Sequence, residues 1–151
     1  MNKRTIKLAK KKHVKITATG WGNEIEIHNG DGYCGRVLDI LTGQKCSLHY
    51  HLNKKETFYV LSGRINIDLS FDLHSETITL EEGDSIDIPQ FVMHRFVGLV
   101  NSQVLEISTE DLGEDDLVRV KQGSTQMLKT WNADDDEFIQ WESKVRRILG
   151  K

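Results

Sequence analysis

Gly43-Gln44-Lys45-Cys46-Ser47-Leu48-His49-Tyr50-His51-Leu52-Asn53-Lys54-Lys55-Glu56, continuing to Gly63, is the stretch on which the reading of this chain turns. Residues i and i+2 of a strand project from one face, so His49 and His51 present two imidazoles side by side. The four residues Leu52 to Lys55 allow a tight reversal that brings Glu56 onto the neighbouring strand, opposite them. Two neutral imidazoles and a carboxylate form a facial set suited to Zn, Mn, Fe or Ni. Further along, Gly83-Asp84 opens a turn, Pro89 ends a strand, and His94 supplies a fourth candidate ligand. His49, His51, Glu56 and His94 are therefore expected to hold one divalent metal ion. His13, His28 and His74 lack partners at ligand spacing.

The sequence on either side is β-like. From about residue 14 to 108, within a barrel expected over about 14–120, short runs of period-two alternation are separated by turn signals such as Asn29-Gly30-Asp31-Gly32, Thr42-Gly43 and Ser62-Gly63. Candidate strands cover 24–27, 34–41, 44–51, 56–62, 64–70, 76–80, 84–88, 94–98 and 103–109. An all-β sandwich or barrel is expected. Beyond it, Asn132 to Asp136 form a capping and acidic first-turn cluster, and Phe138, Trp141, Val145, Ile148 and Leu149 recur at helical spacing, predicting one amphipathic helix over 134–149.

Composition sets the bounds. A chain of 151 residues with 38% hydrophobic and 28% charged residues and a single proline reads as one globular domain over 1–151. No apolar stretch approaches the ~20 residues of a membrane helix, and the basic start has no apolar segment behind it, so a cytoplasmic location and no membrane partner are expected. Cys34 and Cys46 lie outside any CxxC pair and read as small buried residues of a reducing compartment. A net charge of -3 argues against a nucleic-acid surface; the N-terminal lysine run reads as a solvated arm.

These two histidine segments resemble the paired motifs of the cupin superfamily, which implies a double-stranded β-helix, an antiparallel jelly-roll barrel with the metal in its mouth. Phe91 stands where that pattern commonly has glycine, and Gly98 where it commonly has asparagine. Within the superfamily the chain is similar to the small cupin domains of type II mannose-6-phosphate isomerase. The residues carrying that similarity are Trp21-Gly22 with Glu24, Ser47-Leu48, Glu56, Gly63, Ile88-Pro89, His94, Glu106 and the run Gly113 to Arg119. It departs from that branch at His49, where glutamine is more frequent, and at Lys121 to Ser124, which replace an aromatic ending.

The resemblance implies metal-dependent aldose–ketose interconversion of a sugar or sugar phosphate, with no nucleotide-sugar synthesis. On that reading Glu106 is the candidate base if its strand phase points inward, or else a solvent-facing strand glutamate. Arg119 is the candidate for a substrate phosphate or developing enediolate charge, or else a salt-bridge partner of Asp115 or Asp116. Lys54 and Lys55, on the turn beside the ligands, are an alternative phosphate contact. A non-haem metal dioxygenase and a non-catalytic carbohydrate- or metabolite-binding cupin are the competing functions. The phase that turns ligands inward turns Leu48, Tyr50 and Cys46 outward, which predicts an apolar face to be covered by the N-terminal segment, by the final helix or in a homodimer.

Overall fold

A computed structural model describes residues 9–124. Eleven strands alternate between two antiparallel sheets: β1 (Lys15–Ala18), β2 (Gly22–Gly30), β3 (Tyr33–Ile40), β4 (Leu48–His51), β5 (Glu56–Ser62), β6 (Arg64–Phe71), β7 (His74–Glu81), β8 (Ser85–Ile88), β9 (Met93–Gly98), β10 (Ser102–Thr109) and β11 (Leu117–Lys121). One sheet has the order β1-β2-β3-β10-β5-β8 and the other β11-β4-β9-β6-β7. The nine expected strands are present, although the run at 44–51 is paired as a strand only from Leu48. The described residues contain one 3-10 turn, Gly113–Asp115, and no α-helix. The amphipathic helix expected over 134–149 lies outside the described residues.

Strict alternation divides the interior into two zones. On β3 the inward residues run Cys34, Arg36, Leu38, Ile40; on β10 they run Ser102, Val104, Glu106, Ser108; on β5 they run Glu56, Phe58, Val60. Leu38, Ile40, Val60, Ile65, Ile67, Val104 and Phe96 fill one end of the space between the sheets as an apolar core. Each such side chain gains about 1.5–3 kcal/mol by leaving water. In register with them toward the other end come Arg36, Glu56 and Glu106, so an apolar floor carries a polar mouth.

Two expectations about the outside are corrected. Cys46 belongs to the inner core, its sulfur accepting a hydrogen bond from the Phe96 N–H at 3.3 Å, because the backbone before β4 departs from strand alternation. Tyr50 does face away from the ligands but is fully buried, in a small second cluster with Met93 and Val120. The exposed apolar face lies on the six-stranded sheet instead. There Ile16, Ile25, Val37, Leu105 and Tyr59 stand in register across five strands, with Ile107 and Leu61 nearby and 56% and 39% exposed. Both cysteines are free and buried, as expected.

At Phe91 the backbone takes φ 69°, the left-handed region where a glycine costs least. Its N–H donates to the His51 carbonyl at 2.9 Å, and the ring joins the Tyr50 cluster, so a bulky residue is held where the sequence motif commonly has none.

Candidate metal centre

The four expected ligands converge. His49 and His51 lie on β4, Glu56 opens β5 after the reversal, and His94 on β9 is the direct cross-strand partner of His49. One ligand atom from each lies within 4.8 Å of all the others. The rings of His49 and His94 are 4.5 Å apart, and those of His49 and His51 5.1 Å.

The backbone orients the rings. His49 Nδ1 donates to the Ser47 carbonyl at 2.8 Å and His94 Nδ1 to the Val92 carbonyl at 2.9 Å. A carbonyl can only accept, so the proton sits on Nδ1 and each Nε2 is left as a lone-pair donor, the arrangement metal-binding histidines use. His94 Nε2 and Glu56 Oε1 are buried, face one another at 2.5 Å, and are not aligned for a hydrogen bond with any group. Buried polar atoms without partners are costly, and a cation between these lone pairs would satisfy both. The donor set therefore fits a divalent metal ion.

Charge within the cluster follows from burial and contact. Burial, and then the neighbouring His94 and His51, drive the His49 pKa well below its ordinary value, keeping that ring neutral. For His94 burial acts the same way but is outweighed by Glu56, which raises it. Burial likewise works against ionised Glu56, yet His94, His51 and Lys54 overcome it and hold the carboxyl well below the usual range.

A second layer of charge stands beside the ligands. Glu106 points inward from β10 and is 5% exposed, so strand phase resolves in favour of the interior. Lys54, expected on the turn beside the ligands, is 3% exposed and turned into the barrel. Its ammonium donates to Glu106 at 2.5 Å and lies 3.2 Å from Glu56 and 3.4 Å from Asp111. Three carboxylates thus occupy Lys54, which corrects the reading of that residue as a phosphate contact. Arg36, the cross-strand partner of Glu106, binds Asp111 at 2.5 Å and Glu26 at 3.2 Å. Burial and the nearby Glu56 push the Glu106 pKa up to about 7 in spite of Lys54 and Arg36.

Arg119 pairs across strands with His49, but its guanidinium is 41% exposed and is bound by Glu114 through both amino groups. The partner is thus Glu114 and neither Asp115 nor Asp116. Asp116, 2% exposed, instead braces the backbone. Its carboxylate accepts from the N–H groups of Asn53 and Lys54 at 2.7 and 3.0 Å, clamping the reversal between His51 and Glu56.

Sequence reasoning missed Arg36 and Asp111 as parts of the site, and gave Lys54 and Asp116 other partners than the ones they have. Arg36 carried a signal, since it shares a strand face with Cys34 and Leu38; Asp111, on a loop, carried none. All of these except Asp116 line one cavity of about 440 Å³ together with the ligands, Arg119 and Trp21. The Trp21 indole is fixed edge-on to Phe96, with centroids 4.9 Å apart. Among the described residues no helix is long and apolar enough to cross a membrane.

Known proteins share this architecture. The chain is 32% identical over 103 residues to a mannose-1-phosphate guanylyltransferase of Sinorhizobium fredii (strain NBRC 101917 / NGR234), a match covering 66% of the chain and 19% of that protein. A mannose-1-phosphate guanylyltransferase of Salmonella muenchen is 29% identical over 117 residues, covering 76% and 24%. The chain thus spans about a fifth to a quarter of the length of these relatives. Among solved structures, oxalate decarboxylase from Bacillus subtilis superposes with a TM-score of 0.63 at 16% identity, covering 71% of this chain and 30% of that one. The capsular polysaccharide assembling protein CapF of Staphylococcus aureus gives 0.62 at 19%, covering 71% and 34%. KdgF from Halomonas sp. gives 0.54 at 19%, covering 62% and 82%. These neighbours are cupins, and the likeness is one of fold. Residues 6–122 match the family model described as mannose-6-phosphate isomerase C-terminal, and with its cupin sheets and its histidine–glutamate cluster the chain belongs to that family.

Proposed function

We propose that this chain is a metal-dependent isomerase that interconverts an aldose and a ketose, acting on a sugar or sugar phosphate. One observation carries the reading: Glu106, a buried carboxyl group whose pKa is pushed up by burial and by Glu56, shares a closed-floored cavity with the His49, His51, Glu56 and His94 cluster. A general base works best when its pKa lies near the working pH. A divalent ion held by the cluster would supply Lewis acidity to the substrate carbonyl and its neighbouring hydroxyl. Glu106 would take the proton from the carbon beside the carbonyl and return it to the original carbonyl carbon, while the hydroxyl proton passes to the original carbonyl oxygen. Lys54 would hold that carboxylate in place through its 2.5 Å hydrogen bond. Arg119, at the rim of the same cavity, is proposed to meet a phosphate, where the substrate carries one, once released from Glu114.

The test is elemental analysis of the purified protein, followed by assays of mannose 6-phosphate to fructose 6-phosphate and of mannose to fructose, with metal stripped and restored. Metal-dependent ketose formation that is lost in Glu106→Gln, with metal content unchanged, is expected. Stoichiometric metal with no ketose from any aldose would end the isomerase reading and leave a binding protein or an oxygen-using enzyme.

We further propose that two copies pair through the outer face of the six-stranded sheet. Six strands ~4.8 Å apart and four to nine residues long present roughly 600 Å² of flat face, comparable to the ~800 Å² of accessible surface that each partner contributes to a standard interface. Its central row of Ile16, Ile25, Val37, Leu105 and Tyr59 is uncharged, so it can face a second copy of itself across a two-fold axis.

A further inference from the structure

The charges lining the cavity restrict what it can hold. Glu24, Glu56, Glu106 and Asp111 face it, against Arg36, Lys54 and Arg119. Each cation is already committed. Arg36 is bound by Asp111, Glu26 and Glu24 at 2.5, 3.2 and 3.4 Å. Lys54 is bound by Glu106 and Glu56 at 2.5 and 3.2 Å, and Arg119 by Glu114.

A phosphate monoester carries close to two negative charges at neutral pH and is recognised by free guanidinium, ammonium or backbone N–H groups. In this cavity it would have to separate Arg36 or Lys54 from its carboxylates, leaving buried charge unpaired. A divalent ion in the cluster would not relieve this, because it meets the carbonyl end of an isomerase substrate and a terminal phosphate projects away from it. A hydroxyl group faces no such obstacle. It donates to a carboxylate oxygen and accepts from a neighbouring donor in one contact. The walls offer both, in their carboxylates and in the hydroxyls of Thr19, Ser47 and Ser124. Trp21 adds an apolar face for the C–H groups of a sugar, cyclic or open.

We propose that the cavity takes an uncharged polyhydroxylated ligand, an unphosphorylated sugar or its open-chain form, in preference to a sugar phosphate. This rests on the isomerase reading, which sets the carbonyl end of the ligand, and not a terminal phosphate, at the cluster. Arg119 is the one cation a phosphate could recruit, since its pair with Glu114 is exposed and such pairs are weak.

The experiment is calorimetric titration of the metal-loaded full-length protein with alditols, which cannot isomerise, against their phosphate monoesters: mannitol and mannitol 1-phosphate, glucitol and glucitol 6-phosphate. At least one neutral alditol is expected to bind roughly tenfold or more tightly than its ester, the ratio that a single unpaired charge readily produces. Glu114→Gln, which frees Arg119, is expected to raise ester affinity severalfold and leave the alditol unchanged. An ester that binds more tightly than its alditol, or no alditol binding at all, would overturn the proposal. Alditol binding without conversion of mannose or glucose to a ketose would sink the isomerase reading and leave the ligand class standing.

Discussion

Lys54→Met tests the charge arrangement most directly. Lys54 is 3% exposed and joins Glu106, Glu56 and Asp111, so methionine of similar length keeps the packing and removes the one ammonium among three carboxylates. Breaking a buried pair by deleting one partner costs about 3–5 kcal/mol, out of a typical total stability of about 5–15 kcal/mol. The loss must depend on pH, because Glu106 can escape by taking a proton. Its pKa of about 7 in the fold lies above the ordinary carboxyl value, so the folded state binds that proton more tightly than the unfolded protein does. Stability therefore falls as pH rises from the unfolded pKa toward the folded one, and is flat above it. Deleting Lys54 removes a group that lowers the Glu106 pKa and moves the upper end of that window to higher pH. The mutational loss should grow by about 1 kcal/mol between pH 7 and 8, since one unit of pKa corresponds to about 1.4 kcal/mol. Urea unfolding of chelator-treated protein at pH 6 and pH 8 measures this, and Lys54→Met/Glu106→Gln should recover most of the loss because it removes the stranded charge. A loss below about 1 kcal/mol at pH 8, equal losses at both pH values, or no recovery in the double variant would refute this electrostatic account.

Other consequences are open to simpler measurements. Although burial opposes it, Glu56 raises the His94 pKa, so protons compete with metal; affinity for a divalent ion should fall about tenfold per pH unit below that pKa, and a pH-independent affinity would remove His94 from the ligand set. Ile107→Lys, on the exposed apolar face, should convert a dimer into a monomer by light scattering with stability changed by no more than about 0.5 kcal/mol, whereas a wild-type monomer at every concentration would rule that face out. Gly63 turns β5 into β6 at φ 88°, and a Cβ there would press on the Asn101 carbonyl and Ser102; Gly63→Ala should cost about 2–4 kcal/mol in denaturant, and a neutral effect would show that the turn can relax.

The metal cluster was legible because its geometry is local. Two histidines at i and i+2 and a glutamate one reversal away need only strand alternation and a short turn to meet, and Glu106 needed only its phase on β10. The barrel strands were legible for the same reason, as the buried and exposed residues of β3 and β10 alternate without a break. Strands β1 and β11 were not, being four and five residues long, too short for an alternation to stand out, and in β1 every residue is exposed. Lys54 was misjudged because its place is fixed by contacts 52 and 57 residues away, with Glu106 and Asp111. Cys46 was assigned to the wrong face because alternation was extended four residues before β4 begins. Where register decides a side chain's direction the sequence speaks; where a loop is pinned from elsewhere it does not.

Asp116 gives that distance a temporal meaning. Its carboxylate fastens the Asn53 and Lys54 amides from 63 and 62 residues further along the sequence. Domains are generally made and folded from the N-terminus onward. A ribosome that has released His49, His51, Glu56 and even His94 has therefore released four ligands on a reversal still lacking its clasp. Metal captured at that stage would be gripped by a loose set of donors, where affinity order among ions rules and geometry does not. Any selectivity among ions would then belong to the finished protein, acquired only when residue 116 arrives.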